Sequence, residues 1–187
     1  MNKISGRWWV GLLGLMLALP LAAVPLGRLE GPAGPVAVGE SFDISVYADG
    51  VGTDEVIAFG FDLDYAATWT FIGAAMGPGF TDDSTLFPDT MVAGNIDPSI
   101  LGPSGDNILL ATLSLRPSVA GRFNFGVISN VNDPNEGLIL FSGPPAADLT
   151  TSIQVEVSAP GSLALLGLGL AGLPRPKYRR AAVAPHA

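Results

Sequence analysis

Carboxylates are nearly all the reactive chemistry this chain carries between residues 24 and 157. That stretch holds all 17 Asp and Glu residues and no His, Cys or Lys. Nucleophilic triads need an imidazole or amine base, and zinc sites are built mostly on imidazole and thiolate. Both chemistries are therefore excluded there. Paired carboxylates remain, the arrangement that cleaves glycosides. Glu30, Glu40, Glu55, Glu136 and Glu156 fall mostly at strand ends or turns, however, and no spacing singles out an acid and a nucleophile. The reading is non-enzymatic, with a carboxylate glycosidase kept as an alternative. The lone histidine, His186, lies in the last residues, past the final basic cluster.

Oxygen-rich segments suit hard cations, so Ca2+ is the one cofactor these residues admit. Asp62 and Asp64 project from one strand face, and Asp82 and Asp83 adjoin in a loop. These four are the candidate calcium ligands. Asp106 with Asn107, and the run Asn130 to Glu136, are further oxygen sources, but none of them follows an Asp-x-Asp-x-Asp-Gly loop. Trp69, directly after a turn, is the candidate ligand-binding residue, a flat ring on which a sugar stacks; the competing placement is in the core. A carbohydrate-binding module is accordingly the other alternative function. With three arginines (Arg28, Arg116, Arg122) against 17 carboxylates, residues 24–157 carry a net charge of −14. Such a surface repels phosphate, which excludes nucleic acid as a partner.

The elements that must position these groups are strands. Phe42, Ile44, Val46 and Ala48 alternate with polar residues, and Ile57, Phe59, Phe61, Leu63 and Tyr65 share one face of Val56 to Tyr65. A period of two is the signature of a strand with one buried face. Further strands are predicted at Pro35 to Val38, Trp69 to Ala75, Thr90 to Ile96, Asn107 to Leu115, Arg122 to Ser129, Gly137 to Phe141 and Thr150 to Val157. Gly, Pro, Asn and Asp clusters separate them, and no capped amphipathic helix intervenes. Eight or nine strands at this spacing predict an all-β sandwich or jelly roll, one domain over residues 24–157. No cysteine exists to staple it.

The two ends differ from the middle. Residues 1–23 have a basic start (Lys3, Arg7), an apolar stretch from Trp8 to Leu19 and small residues Ala22 and Ala23, the pattern of a secretory signal peptide. Residues 158–180 open with Ser158, Ala159 and Pro160, continue as an uncharged run from Gly161 to Leu173, and close on the basic stop Arg175, Lys177, Arg179 and Arg180. Residues 181–187 form a short tail. The run is shorter than the ~20 residues of a full bilayer span, yet its basic flank fits a C-terminal transmembrane helix. Basic flanks stay on the cytoplasmic side, so the acidic domain is expected outside.

Leu163 to Gly172 reads Leu-Ala-Leu-Leu-Gly-Leu-Gly-Leu-Ala-Gly and, with the basic cluster behind it, resembles a PEP-CTERM sorting signal. The usual Pro-Glu-Pro stands here as Ser158, Ala159 and Pro160. This resemblance implies a membrane-embedded transpeptidase, the exosortase, as partner, in bacteria that make extracellular polysaccharide. A second resemblance lies in the middle: Val36 to Ile44 (Val-Ala-Val-Gly-Glu-Ser-Phe-Asp-Ile), Ala58 to Tyr65 (Ala-Phe-Gly-Phe-Asp-Leu-Asp-Tyr) and Leu110 to Leu115 (Leu-Ala-Thr-Leu-Ser-Leu) follow the order of strands in the cohesin family. It covers residues 33–157 and implies a cohesin-like jelly-roll β-sandwich that binds a partner through a strand face. The expected protein is exported, anchored at the envelope or released after processing, and acts in adhesion or matrix assembly with a polysaccharide or protein ligand.

Overall fold

A computed structural model describes residues 25–87, 91–143 and 146–160. They form eleven strands: β1 (Leu26–Glu30), β2 (Val36–Ala37), β3 (Phe42–Asp49), β4 (Val56–Asp64), β5 (Trp69–Met76), β6 (Phe80–Asp82), β7 (Val92–Ile96), β8 (Ile108–Pro117), β9 (Gly121–Ile128), β10 (Gly137–Leu140) and β11 (Thr151–Ser158). One 3-10 turn, Ser84–Leu86, follows β6. Two sheets result. The smaller has the order β1-β3-β8-β5, the larger β2-β11-β9-β4-β7-β6, with β10 lying on β4 end to end with β9. All pairings are antiparallel except β2 with β11.

Alternation in the sequence becomes burial in the sandwich. On β3, Phe42, Ile44, Val46 and Ala48 face inward, and on β8 Leu113 and Leu115 oppose Ile44 and Phe42. Phe59, Phe61, Phe125 and Val127 line the facing sheet and are at most 1% exposed. Aromatic rings lock the two layers together. Trp69 meets Phe42 edge-on at 5.3 Å and lies parallel to Phe125 at 6.4 Å, while Phe59 packs on Phe61 and, edge-on, on Phe80. Such pairs add to the burial of the rings themselves.

Two expectations change. The strands number eleven rather than eight or nine, because β1 and β6 are additional; β1 holds Gly27 and Arg28 at its centre and β6 is three residues long, so neither shows an alternating run. Gly27 is required where it stands, since a Cβ there would collide with the Leu149 carbonyl. The second change is at Ile57. Leu140 pairs with Val56 and Ile139 with Ala58, which leaves Ile57 as an extra residue on β4, a bulge. Val56 is therefore buried and Ile57 leaves the inward row of Phe59, Phe61 and Leu63. Among the described residues no helix is long and apolar enough to cross a membrane. The predicted signal peptide and C-terminal helix lie outside the described residues.

Candidate functional site

The outer faces of the two sheets differ in chemistry. On the smaller sheet, Asp43 accepts from the Ser114 hydroxyl at 2.6 Å, Arg28 lies over the Tyr47 ring at 4.4 Å, and Arg116 donates to Ser41. Polar groups there satisfy one another. The larger sheet instead has a groove of about 540 Å³ where β4 and β7 meet the β7–β8 loop, lined by Ile57, Ala58, Asn95, Ile100, Leu101 and Phe141 among others. Leu101 and Phe141 are 82% and 74% exposed, the two highest values among the large apolar side chains of the described residues. A second hollow of about 470 Å³, with Val131, Pro134, Ile139 and Leu140, lies on the other side of the Ala58–Ile139 pair. Ile128, also exposed, stands opposite Asp62 on the same face.

Two neighbouring carboxylates hold the loops that carry these side chains. Asp54 accepts from the backbone N–H groups of Glu55 and Ser142, fixing the turn beside Phe141. Bonding at Ser142, then at Glu55, holds the Asp54 carboxyl below its ordinary range. The Glu55 carboxylate takes the Gly102 N–H at 3.2 Å, and the Glu55 carbonyl takes the Phe141 N–H at 2.9 Å. Val56 N–H bonds the Pro103 carbonyl, so the β7–β8 loop is pinned to the start of β4. At the loop's entry Asp97 accepts both the N–H and the hydroxyl of Ser99, which keeps its carboxyl ionised to lower pH than usual. Leu101 is thus exposed on a loop tied at three points. Next to the second hollow, the Asn130–Glu136 loop crosses Gly60, where a Cβ would collide with the Asn135 carbonyl.

No family model matches this chain, and no curated protein matches it. Solved structures do. The cohesin module of a family 33 glycoside hydrolase from Clostridium perfringens superposes with a TM-score of 0.57 at 13% identity, over 74% of this chain and 99% of that one. A cohesin from Clostridium acetobutylicum gives 0.51 at 18% identity, over 75% and 94%. A type I cohesin from Clostridium thermocellum, solved in a cohesin–dockerin complex, gives 0.51 at 14% identity, over 74% and 96%. The fold is cohesin-like.

The cohesin-like frame places the residues predicted to act. Trp69 is 5% exposed, enclosed by Phe42, Phe123 and Phe125. It is a core residue and offers no platform to a sugar. Asp62 and Asp64 share the outer face of β4, but Asp82 lies opposite Gly94, which lies opposite Phe59. Two strand spacings and three residues separate Asp82 from Asp62, about 14 Å. The four candidates therefore form no single cluster; Asp82 is engaged by the Ser84 N–H, and Asp83 precedes the 3-10 turn. Among the described residues no three Asp, Glu or His side chains gather at metal-binding range. The oxygen-rich Asn130–Glu136 segment bonds to itself: Glu136 accepts from Asn130 N–H, Asn130 from Asn132 N–H, and Asp133 from Asn135 N–H.

The five glutamates are dispersed: Glu30 pairs with Arg28 and Glu156 with Arg122, Glu55 and Glu136 hold backbone, and Glu40 lies in the β2–β3 turn. Ser158 is a sheet residue. It aligns with Ala37, its carbonyl takes the Val38 N–H at 3.0 Å and its hydroxyl donates to the Val36 carbonyl. Ala159 and Pro160 follow directly, and Arg175, Lys177, Arg179 and Arg180 lie outside the described residues. The apolar groove residues were not singled out from the sequence. Their signal was there, as the pair Ile100 and Leu101 inside a Pro- and Gly-bounded loop where nothing requires burial.

Proposed function

We propose that this chain is an exported, non-enzymatic binding module, held or sorted at the cell envelope by its C-terminal segment, that takes a protein partner on the outer face of the larger sheet. The observation that carries the reading is the exposure of Ile100, Leu101 and Phe141 around one groove, on loops fixed by Asp54 and Glu55. A clustered apolar patch with a polar rim is what association uses, because its removal from water drives binding. The Clostridium thermocellum relative in fold was solved with a dockerin, and a protein ligand on this chain follows by the same logic of shape. Adhesion or assembly of an extracellular matrix is the setting we assign to it. Burial of Trp69 removes the residue on which carbohydrate binding rested.

The test is site-specific photo-crosslinking in the native host, with the reactive side chain at Leu101 or, as control, at Thr112 on the other sheet. Defined protein adducts from Leu101 and none from Thr112 are expected. Equal labelling from both positions would sink the assignment of the face. For the envelope claim, cells carrying the full chain are fractionated beside cells carrying a form that ends at Pro160, a length that spares the Ser158 pairing. Equal membrane retention of the two forms would contradict the tether.

A further inference from the structure

We propose that the end of the sandwich from which the chain departs is a membrane-contact surface, seated on an anionic bilayer through the β8–β9 turn, which crosses from the smaller sheet to the larger. The proposal rests on the tether reading above. Four segments meet at that end. Gly39 N–H bonds the Pro117 carbonyl, Ser118 N–H bonds the Thr68 carbonyl, and Val38 N–H bonds the Ser158 carbonyl. The β2–β3, β4–β5 and β8–β9 turns are thereby gathered around the end of β11.

The three arginines of the sandwich divide along the same axis, two at this end and one, Arg28, elsewhere. Over residues 36–43, 65–70, 115–123 and 155–160 the charged side chains are Glu40, Asp43, Glu156, Arg116 and Arg122, a net of −1. The other described residues hold Arg28 and 13 carboxylates, a net of −12. A bilayer with anionic lipid attracts guanidinium groups and repels carboxylates, so the departing end, which holds two of the three arginines, is the one such a surface repels least. Its tip suits the contact. Val119 is 48% exposed in the turn between the two sheets, with Arg116 at the end of β8 on one side and Arg122 at the start of β9 on the other. Among the described residues Arg116 has no ion pair and bonds the Ser41 hydroxyl; Arg122 is 3.6 Å from Glu156, with both side chains more than half exposed. Long stems and mobile heads allow both to reach phosphates while an apolar tip sits between headgroups.

Reach makes the contact unavoidable once the tail is inserted. Ser158 is fixed in the sheet and the apolar run begins at Gly161, so three residue steps connect them. Three extended steps span about 10 Å, close to the ~8 Å over which salt screens charge at physiological strength.

The chain has no cysteine, so single labels are clean. The full chain carrying Val119→Cys or Ser104→Cys, the latter on the β7–β8 loop at the opposite end, is labelled with an environment-sensitive fluorophore. It is then reconstituted in phosphatidylcholine vesicles with or without phosphatidylglycerol, and quenched by headgroup-level spin-labelled lipid. Several-fold stronger quenching at 119 than at 104 is expected, increased by phosphatidylglycerol and reduced in an Arg116→Gln/Arg122→Gln background. Equal quenching at the two positions in a chain that floats with vesicles overturns the contact and leaves the tether standing. A full chain that fails to float with either vesicle removes the tether, and the contact with it.

Discussion

Trp69 brings an indole into the core with its N–H unpaired, the one such buried side-chain group among the described residues. A buried donor without a partner costs ~1–3 kcal/mol, and the surrounding rings of Phe42, Phe123 and Phe125 offset it by packing. Trp69→Ala should therefore act on stability, by about 3–5 kcal/mol in urea unfolding. Trp69→Phe, which deletes the orphan donor while keeping a ring, should lose far less. At the other end of the sandwich Arg28 stacks on Tyr47 and bonds both Asp49 and Asn107 at 2.7 Å. The guanidinium of Arg28, and then the Asn107 N–H, hold the Asp49 carboxyl below its ordinary value of 3.8. Asp148 is lowered as well, by its bonds to Thr150 and Ser129. A carboxyl depressed in the folded state contributes stability above its unfolded pKa and loses it as pH falls through the folded one. Urea midpoints should thus decline from about pH 5 downward. The decline should be shallower in Asp49→Asn, and an unchanged acid slope in that variant would refute the role given to Arg28 and Asp49.

Strand β4 organises the candidate face, since it pairs with β7, β9 and β10 and carries the bulge that turns Ile57 out of the core row. Its neighbouring loops present Leu101 and Phe141 without burying them, so Leu101→Asp should leave the unfolding midpoint within experimental scatter while abolishing adducts from a crosslinker placed at Phe141. Loss of fold in that variant would show that Leu101 packs rather than binds. At the sheet's far edge, a chain ending at Val157 forfeits the two hydrogen bonds of Ser158 to the β2 region. Relative to one ending at Pro160 it should lose about 1–3 kcal/mol, at 0.5–1.5 for each bond. Most strands could be read from alternation because burial of one face writes a period of two into the residues. β1 and β6 could not, being short pieces whose place depends on partners 12 or more residues away in the chain, Phe42–Asp49 and Val92–Ile96. The groove escaped for a related reason: Ile100 and Leu101 belong to no periodic element, and only the closeness of Ile57 and Phe141 makes a surface of them.

Across the whole molecule, a strongly acidic sandwich precedes an apolar segment with a basic flank, and two of the sandwich's three arginines, Arg116 and Arg122, lie at the end where the two join. If that polarity governs the posture at a membrane, raising salt should weaken the phosphatidylglycerol-dependent part of quenching at position 119 and leave flotation intact, since screening touches exposed charge and not apolar insertion. Salt-independent quenching would assign the contact to Val119 alone. The sequence by itself determined the β class, the inward row of β3 and that of β4 from Phe59 to Leu63, the lack of imidazole, thiol and amine chemistry between residues 24 and 157, and the opposed charge of middle and ends. These are properties of residue type and local period, and they survive any arrangement of the strands. Tertiary structure alone decided that Trp69 is enclosed, that Asp62 and Asp82 stand apart, that Ser158 is part of a sheet, and that Ile57, Leu101 and Phe141 share one groove. Each of these depends on strand register and loop closure between residues distant in the chain. One-residue slips exchange the faces of a strand, and no local pattern encodes which strand will lie alongside.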